Sequence, residues 1–159
     1  MRKTDRPLSV PERSTIATAL LQAMAWTGVG RVPPTPAQLH ALIKQAVDSF
    51  RQQSEPDRQR LIEGVAQGLG ALWGQVLCDQ FGWTWVMIQV DQHDEGFGVV
   101  TSIRSHVIYP IRYLSRLLSS PANDQTIEKV FNAIQTNKLP KSLPRGYMVV
   151  SGGKSTLLF

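Results

Sequence analysis

Apolar residues in the middle of the chain recur at intervals of three and four positions, the spacing of one face of an amphipathic helix. The residues that share this face are Ile62, Val65, Leu69, Leu72 and Val76. Ser54 is of a residue type that caps helix N-termini, and Gly82 is of the type that ends helices. The pattern therefore predicts a long central helix from about Glu55 to about Asp79.

Glycines interrupt this predicted helix, where each costs about 1 kcal/mol relative to alanine. They are Gly64, Gly68, Gly70 and Gly74, which form two pairs spaced by four residues. Simple tolerance is one interpretation of such glycines. We favour the other, in which the smooth patches allow close approach of a strand or a second helix.

The residues that follow the central helix have the patterns of strands. Trp83 to Val90 is dense in β-branched and aromatic side chains, and it predicts a central strand. Phe97 to Thr101 and His106 to Tyr109 predict two more strands. The turns between the three are Asp91 to Gly96 and Ser102 to Ser105. Because these connections are short, we expect neighbouring strands to be antiparallel.

Further amphipathic patterns lie on both sides of this region. Ser14 is the predicted cap of a first helix that ends near Gly28 or Gly30. Thr35 to Gln38 has the capping threonine, first-turn proline and reciprocal glutamine that begin a second helix. Pro110 opens a short helix after the strands, and Ile127 to Asn137 predicts another.

The two ends of the chain differ in pattern. Met1 to Arg13 is polar and basic, which predicts a flexible arm over residues 1–13. Tyr147 to Val150 and Lys154 to Phe159 flank Gly152-Gly153, which is a hairpin signature. The sequence thus predicts one α+β domain over residues 14–159. In it, N-terminal helices and the glycine-rich central helix pack on a short antiparallel sheet, followed by C-terminal helices and a terminal β-hairpin.

Composition places the chain among folded proteins. It has 159 residues, 42% of them apolar and 18% charged, which suits a domain with a real core. The sequence has no apolar leader or membrane-spanning pattern, so we expect a cytoplasmic protein. Cys78 is the single cysteine, which agrees with a reducing compartment.

Charge is unevenly distributed along the chain. The net charge is +4 over residues 1–60, −5 over residues 61–100 and +6 over residues 101–159. Basic segments at both ends are compatible with nucleic-acid binding. The cations are nevertheless scattered and lack a dense run with interleaved aromatic residues, so a solvated surface is the better interpretation.

Acidic side chains and a histidine cluster between the first two predicted strands. Asp91, His93, Asp94 and Glu95 offer oxygen and nitrogen ligands, but their spacing matches no calcium loop, and we predict no metal and no cofactor. The alternative interpretations are a solvated hairpin tip and a docking site for a basic protein partner. Trp85 joins these four as a candidate partner-binding residue, since partly exposed tryptophans anchor interfaces.

The sequence gives little evidence for catalytic residues. Gly152 to Thr156 is similar to the end of a phosphate-binding loop, but Met148 stands where that motif needs glycine, and no helix-length segment follows. Cys78 lies near the C-terminal end of the predicted helix, where the helix dipole raises a thiol pKa. No Ser-His-Asp set is visible, so we predict that the chain is not an enzyme.

One stretch resembles a known family. The residues that carry the resemblance are Leu69-Gly70, Gly74, Leu77 and Phe81-Gly82-Trp83-Thr84-Trp85, with Ser105 to Ile111 as a later match. They are similar to a family of small bacterial domains of unknown function, over roughly residues 60–118. The resemblance implies a helix-to-strand fold and says almost nothing of activity. Similar small domains occur among bacterial proteins that neutralise toxins, an analogy of fold and size only.

These observations favour a non-enzymatic protein-binding module, and possibly an immunity protein that neutralises a bacterial toxin. The basic net charge weakens the version in which the toxin is a nuclease, because such inhibitors mimic nucleic acid. The alternative is a nucleic-acid-associated protein that uses the basic N- and C-terminal segments. A small-molecule enzyme ranks third.

Overall fold

The computed structural model describes residues 1–30, 32, 34–120 and 126–150. Within them, five helices and a five-stranded mixed sheet confirm the α+β class. In chain order, the elements are β1 (Lys3–Pro7), α1 (Val10–Trp26), α2 (Pro36–Arg51), α3 (Glu55–Phe81), β2 (Thr84–Val90), β3 (His93–Val100), β4 (His106–Ile108), α4 (Pro110–Ser119), α5 (Thr126–Gln135) and β5 (Met148–Val149).

The chain divides into two compact units. The first holds the sheet and α5, and it comprises Met1–Ser9, Leu77–Pro110 and the described part of residues 124–159. The second holds α1, α2 and most of α4, and it comprises Val10–Val76 and the described part of residues 111–123. Helix α3 contributes to both, with its last residues in the first unit. The single domain predicted over residues 14–159 stays a prediction.

Strands of the sheet follow one another in chain order, β1-β2-β3-β4-β5. The first three pairings are antiparallel, which confirms the predicted meander of β2, β3 and β4. Strand β5 pairs with β4 in parallel, because the long connection through α4 and α5 brings the chain back in the same direction. The predicted terminal hairpin is therefore corrected, since Met148–Val149 forms the fifth strand of the sheet. Gly152-Gly153 and Lys154 to Phe159 lie outside the described residues.

The first residues of the chain belong to the sheet. Lys3 to Pro7 pairs antiparallel with β2, from Lys3 opposite Val90 to Pro7 opposite Val86. The sequence predicts a flexible arm here because its side chains are polar and do not alternate with apolar ones. An edge strand needs only backbone partners, however, and Pro7 at its end is a residue that edge strands tolerate.

Buried side chains of the first unit lie mainly on the sheet. The core cluster consists of Val86, Ile88, Val100, Val107, Tyr109 and Tyr147. The ring of Phe81 at the end of α3 packs 5.0 Å from the ring of Phe131 in α5. The strand predicted over Trp83 to Val90 is confirmed as β2, with its middle residues buried.

Helices α2 and α3 begin where the sequence predicts, whereas α1 begins at Val10 and the predicted cap Ser14 lies inside it. The Thr35 hydroxyl accepts a hydrogen bond from Gln38 N–H at 3.4 Å, and the Gln38 side chain accepts one from Thr35 N–H, which confirms the capping box. The Ser54 hydroxyl accepts a hydrogen bond from Asp57 N–H at 3.3 Å at the start of α3. Further along α3, Trp73 is buried against Tyr113, with ring centroids 5.0 Å apart.

Two of the α3 glycines lie against other helices. A Cβ on Gly70 would stand 2.6 Å from the Ile111 Cα, and one on Gly68 would stand 2.9 Å from a ring carbon of Trp26. A Cβ on Gly64 would meet no atom within 4 Å. Close packing is thus confirmed at Gly68 and Gly70, whereas Gly64 is a glycine that the helix merely tolerates.

Candidate functional site

The turn that carries the predicted acidic cluster is shorter than the sequence suggests. Asp91 and Gln92 alone connect β2 to β3, with φ angles of 50° and 72°. Positive φ at both central residues is the signature of a tight type I′ hairpin turn. His93, Asp94 and Glu95 lie in β3 instead, and the prediction of a turn from Asp91 to Gly96 is wrong.

Acidic side chains of this hairpin already have partners in the sheet. Asp94 pairs with Arg6 of β1 through two contacts, Nη2 to Oδ2 at 2.6 Å and Nε to Oδ1 at 3.1 Å. Asp91 Oδ1 accepts a hydrogen bond from the Arg2 backbone N–H at 2.7 Å. These contacts attach β1 to the hairpin, so the carboxylates have a structural role that the sequence pattern does not reveal.

The remaining candidates of the predicted partner-binding set are dispersed. Glu95 Oε2 accepts a long hydrogen bond of 3.5 Å from the Tyr109 hydroxyl, and His93 is exposed. Trp85 is half-buried in β2, and its buried indole Nε1 has no hydrogen-bond partner within the described part of the chain. Binding of a partner by these residues stays a prediction.

The residues described above contain neither a group of side chains that could hold a metal ion nor a helix that could span a membrane. In those ranges no three His, Cys, Asp or Glu side chains come together in a way that would hold a metal ion. None of the helices there has both the length and the apolar character that crossing a membrane requires.

Cys78 lies half-buried in the last turn of α3. Burial raises the pKa of its thiol from 9.0 to about 12, the negative charge of Asp79 adds to the rise, and a backbone hydrogen bond from Trp85 opposes it. The direction agrees with the sequence prediction. The thiol is therefore protonated at neutral pH, which makes it a poor nucleophile.

A buried hydroxyl-imidazole chain is a feature that sequence analysis misses. The Ser105 hydroxyl lies 2.8 Å from His106 Nδ1 and 3.0 Å from the Thr101 hydroxyl. On the other side of the ring, His106 Nε2 lies 2.6 Å from the Pro140 carbonyl oxygen. With a proton on Nε2, each group of this chain donates to the next, which fixes the connector before β5 against β4.

An opening in the first unit lies between the start of β1 and the segment that enters β5. It has a volume of about 720 Å³ and is lined by Met1, Arg2, Lys3, Thr4, Ser142, Arg145, Gly146, Tyr147 and Met148. The basic segments at the two ends of the sequence thus meet at one place, which we call the basic cavity. Local patterns give no sign of it, since its two walls lie about 140 residues apart in the sequence.

A partly buried carboxylate, that of Asp5, contacts Tyr147, which lines the basic cavity. Asp5 Oδ2 accepts hydrogen bonds from Arg104 Nε at 2.9 Å and from the Tyr147 hydroxyl at 2.7 Å. The pKa of Tyr147 is raised to about 12, chiefly by burial and then by the hydrogen bond to Asp5 and its negative charge, while the positive charges of Arg104 and Arg145 oppose the rise. The Arg145 charge therefore acts at the Tyr147 hydroxyl.

The backbone around this cluster is in an unusual conformation. Arg104, Arg145 and Tyr147 have φ angles of 58°, 59° and 46°, in the left-handed region that non-glycine residues seldom adopt. The Tyr147 N–H donates to the Arg104 carbonyl at 2.9 Å, and the Arg145 N–H donates to the Ile103 carbonyl at 2.9 Å. Strained backbone of this kind clusters at binding and catalytic sites.

Cations of the basic cavity differ in their contacts. Lys3 Nζ lies 5.8 Å from the centroid of the Tyr109 ring. The guanidinium groups of Arg2 and Arg145 make no hydrogen bond or ion pair with residues in the described ranges. Both arginines thus line this cavity without an ion pair to the residues in those ranges.

A second, smaller cavity lies in the helical unit. It has a volume of about 270 Å³ between the end of α1, α2 and the start of α3, and both apolar and uncharged polar side chains line it. Trp26, which is 48% exposed, stands at its edge. It has no charged side chain among the residues that line it.

Comparisons with known proteins find nothing similar. No family model, no curated protein and no solved structure matches this chain.

Proposed function

We propose that the chain is a non-enzymatic binding protein and that its basic cavity receives an acidic segment of a partner protein. The observation that carries this proposal is the pair Arg2 and Arg145, which line one cavity while their guanidinium groups form no ion pair with the described residues. A carboxylate is the natural counter-ion for a guanidinium, which it can bind through two parallel hydrogen bonds. The narrower version, in which the partner is a toxin, rests on analogy of size and fold alone.

Nucleic acid is the second candidate, because the basic cavity joins the N- and C-terminal basic segments. Proteins that hold single strands usually add aromatic side chains on which bases stack. The one aromatic ring in the lining belongs to Tyr147, which is 4% exposed and hydrogen-bonded to Asp5. With three lining cations, the cavity also offers few phosphate contacts, so an acidic protein segment is the better fit.

Capture of partners from nuclease-treated extracts of the source cell tests this proposal. The tagged full chain is compared with the double variant Arg2→Ala/Arg145→Ala. The double variant Lys44→Ala/Lys129→Ala is the matched control, because it loses the same charge at exposed helix positions. Each charge-assisted hydrogen bond is worth about 1.5–3 kcal/mol, so the arginine variant should bind a captured partner at least about tenfold more weakly.

Outcomes of this comparison separate the candidates. Equal losses in both double variants would show a general charge effect and refute a role for the basic cavity. Binding to arbitrary DNA or RNA that weakens with salt, at a slope of about −2 to −3 in log-log form, would favour nucleic acid contacts by the three cations.

A further inference from the structure

Exposed apolar side chains of the first unit collect at the basic cavity. Among its described residues, three large apolar side chains are exposed, Met1 at 87%, Ile103 at 55% and Leu143 at 79%. Met1 lines the cavity, and Leu143 lies in the chain between the lining residues Ser142 and Arg145. Scattered exposed apolar residues are ordinary on a protein surface, whereas several at one place mark an interaction surface.

Two turns, 101–104 and 143–146, carry Ile103 and Leu143. Each turn is closed by a hydrogen bond from its last N–H to its first carbonyl, at 3.0 Å in the first and 2.9 Å in the second. The Arg145 N–H joins the two turns by donating to the Ile103 carbonyl at 2.9 Å. Because the N–H groups of this segment are used within the chain, a ligand here is recognised by side chains.

Arg145 occupies a turn position that usually requires glycine or asparagine. Pro144 at the second residue of the turn and a φ of 59° at the third are the features of a type II turn. A positive φ disfavours arginine, and strained backbone of this kind clusters at ligand-binding sites. The guanidinium makes no hydrogen bond or ion pair with the described residues. The strained turn therefore presents this cation two residues from the exposed Leu143.

On these grounds we infer that the acidic partner segment also carries a large apolar residue beside its carboxylate, and that this residue packs on Ile103 and Leu143. This inference rests on the proposed function and adds the specificity of the same site. Leu143 and Arg145 are two residues apart, and an extended chain advances about 3.3 Å per residue, so the matching apolar residue lies one or two positions from the carboxylate. Apolar contact around the ion pair excludes water, which strengthens the pair.

An anionic lipid surface offers a similar combination of negative charge and apolar chains. The shape of the site favours a chain segment, because its cations line a cavity of about 720 Å³. A bilayer surface is flat on the scale of a small unit and does not fill such a cavity. Membrane binding is therefore the alternative that the experiment has to exclude.

Three acetylated and amidated hexapeptides are the probes, with leucine alternating with glutamate, alanine with glutamate, or leucine with lysine. Each is titrated into the isotope-labelled full chain, and its affinity and contact residues are read from backbone amide shifts by NMR. Each fully buried side-chain carbon changes an equilibrium about fourfold. Half burial of one leucine should therefore make the leucine–glutamate peptide bind about five- to tenfold more tightly than the alanine–glutamate peptide. The lysine peptide should not bind.

A double variant of the chain shows whether this gain comes from the two turns. With Ile103→Ser/Leu143→Ser, the two glutamate peptides should bind within about twofold of each other. Val10→Ser/Leu21→Ser is the matched control, because it removes exposed apolar side chains from α1, and it should keep the full difference. Unchanged circular dichroism shows that both variants are folded.

Failure of this inference and failure of the proposed function are distinguishable. If the two glutamate peptides bind equally to the unmodified chain, the apolar contact is wrong while the acidic-partner proposal stands. If the lysine peptide binds as tightly as its glutamate counterpart, the cavity does not select charge, which contradicts both. If no peptide binds up to about 10 mM, the inference falls, and the capture experiment alone decides the proposed function.

Vesicles of equal parts phosphatidylserine and phosphatidylcholine test the membrane alternative in a sedimentation assay. The unmodified chain and the Ile103→Ser/Leu143→Ser variant should sediment equally little with them. Sedimentation of the unmodified chain that the variant loses would assign the two turns to a lipid surface and overturn the inference.

Discussion

Replacing either of two glycines of α3 by alanine should change the stability of the protein, but in opposite directions. Gly64 and Gly70 lie in one helix and both gain helix propensity on replacement by alanine, worth about 1 kcal/mol each. A Cβ on Gly64 meets no atom within 4 Å, so Gly64→Ala should stabilise the protein by about 0.5–1 kcal/mol. This gain sets the reference against which a packing cost is measured.

Gly70→Ala should destabilise the protein despite the same gain in propensity. Its Cβ would stand 2.6 Å from the Ile111 Cα and 2.7 Å from the Ile111 N, which are backbone atoms at the start of α4. Overpacking costs about 1–3 kcal/mol, and backbone yields less easily than a side chain, so the upper part of that range applies. The net expectation is a loss of about 1–2 kcal/mol, or about 2–8 °C in Tm for a chain of this size.

Urea and thermal unfolding of the two variants, followed by circular dichroism and tryptophan fluorescence, measure the difference. Gly68→Ala should fall between them, because the nearest atom to its Cβ, at 2.9 Å, belongs to the Trp26 side chain, which is half exposed and able to move. If the Gly70→Ala protein were as stable as the Gly64→Ala protein, the prediction that α4 lies too close to α3 for a side chain at residue 70 would be refuted.

Tyr147 and Cys78 give predictions that depend on pH. The folded-state pKa of Tyr147 is raised from 10.0 to about 12, so the stability it contributes is present below pH 10 and lost between pH 10 and pH 12. Urea unfolding at pH 9 and pH 11.5 should show this loss in the parent but not in Tyr147→Phe, and equal losses would refute it. Since the pKa of Cys78 is about 12, its alkylation by iodoacetamide at pH 8 should be at least about a hundredfold slower than that of glutathione. A rate near that of glutathione would show that the thiol is neither buried nor disfavoured as an anion.

Local patterns in the sequence are sufficient to predict where α2 and α3 begin. The predicted start of the central helix at about Glu55 and its cap at Ser54 match α3, because capping and amphipathic spacing act between residues close in sequence. The strand β1 is not predictable in this way. Lys3 to Pro7 has no apolar alternation, and its place in the sheet depends on Arg6 and on a partner about 80 residues away.

The acidic cluster shows why a correct local observation leads to an incomplete site. Asp91, His93, Asp94 and Glu95 are adjacent in sequence, and their exposure follows from their polarity. Asp91 and Asp94 contact Arg2 and Arg6, which lie about 90 residues earlier in the chain, and only the pairing of β1 with β2 reveals these contacts. The basic cavity is missed for the same reason, since Arg145 meets Arg2 through the whole topology of the sheet.

Pairing within the sheet also changes the expected charge of the partner. The sequence suggests a negative docking turn and therefore a basic partner. In the structure, Asp94 is bound by Arg6 and Asp5 by Arg104, so each of these carboxylates is matched by one guanidinium. Arg2 and Arg145 are the cavity-lining arginines left without such a match among the described residues. Because opposite charges steer and orient association, these two arginines are the reason that an acidic partner is proposed for the basic cavity.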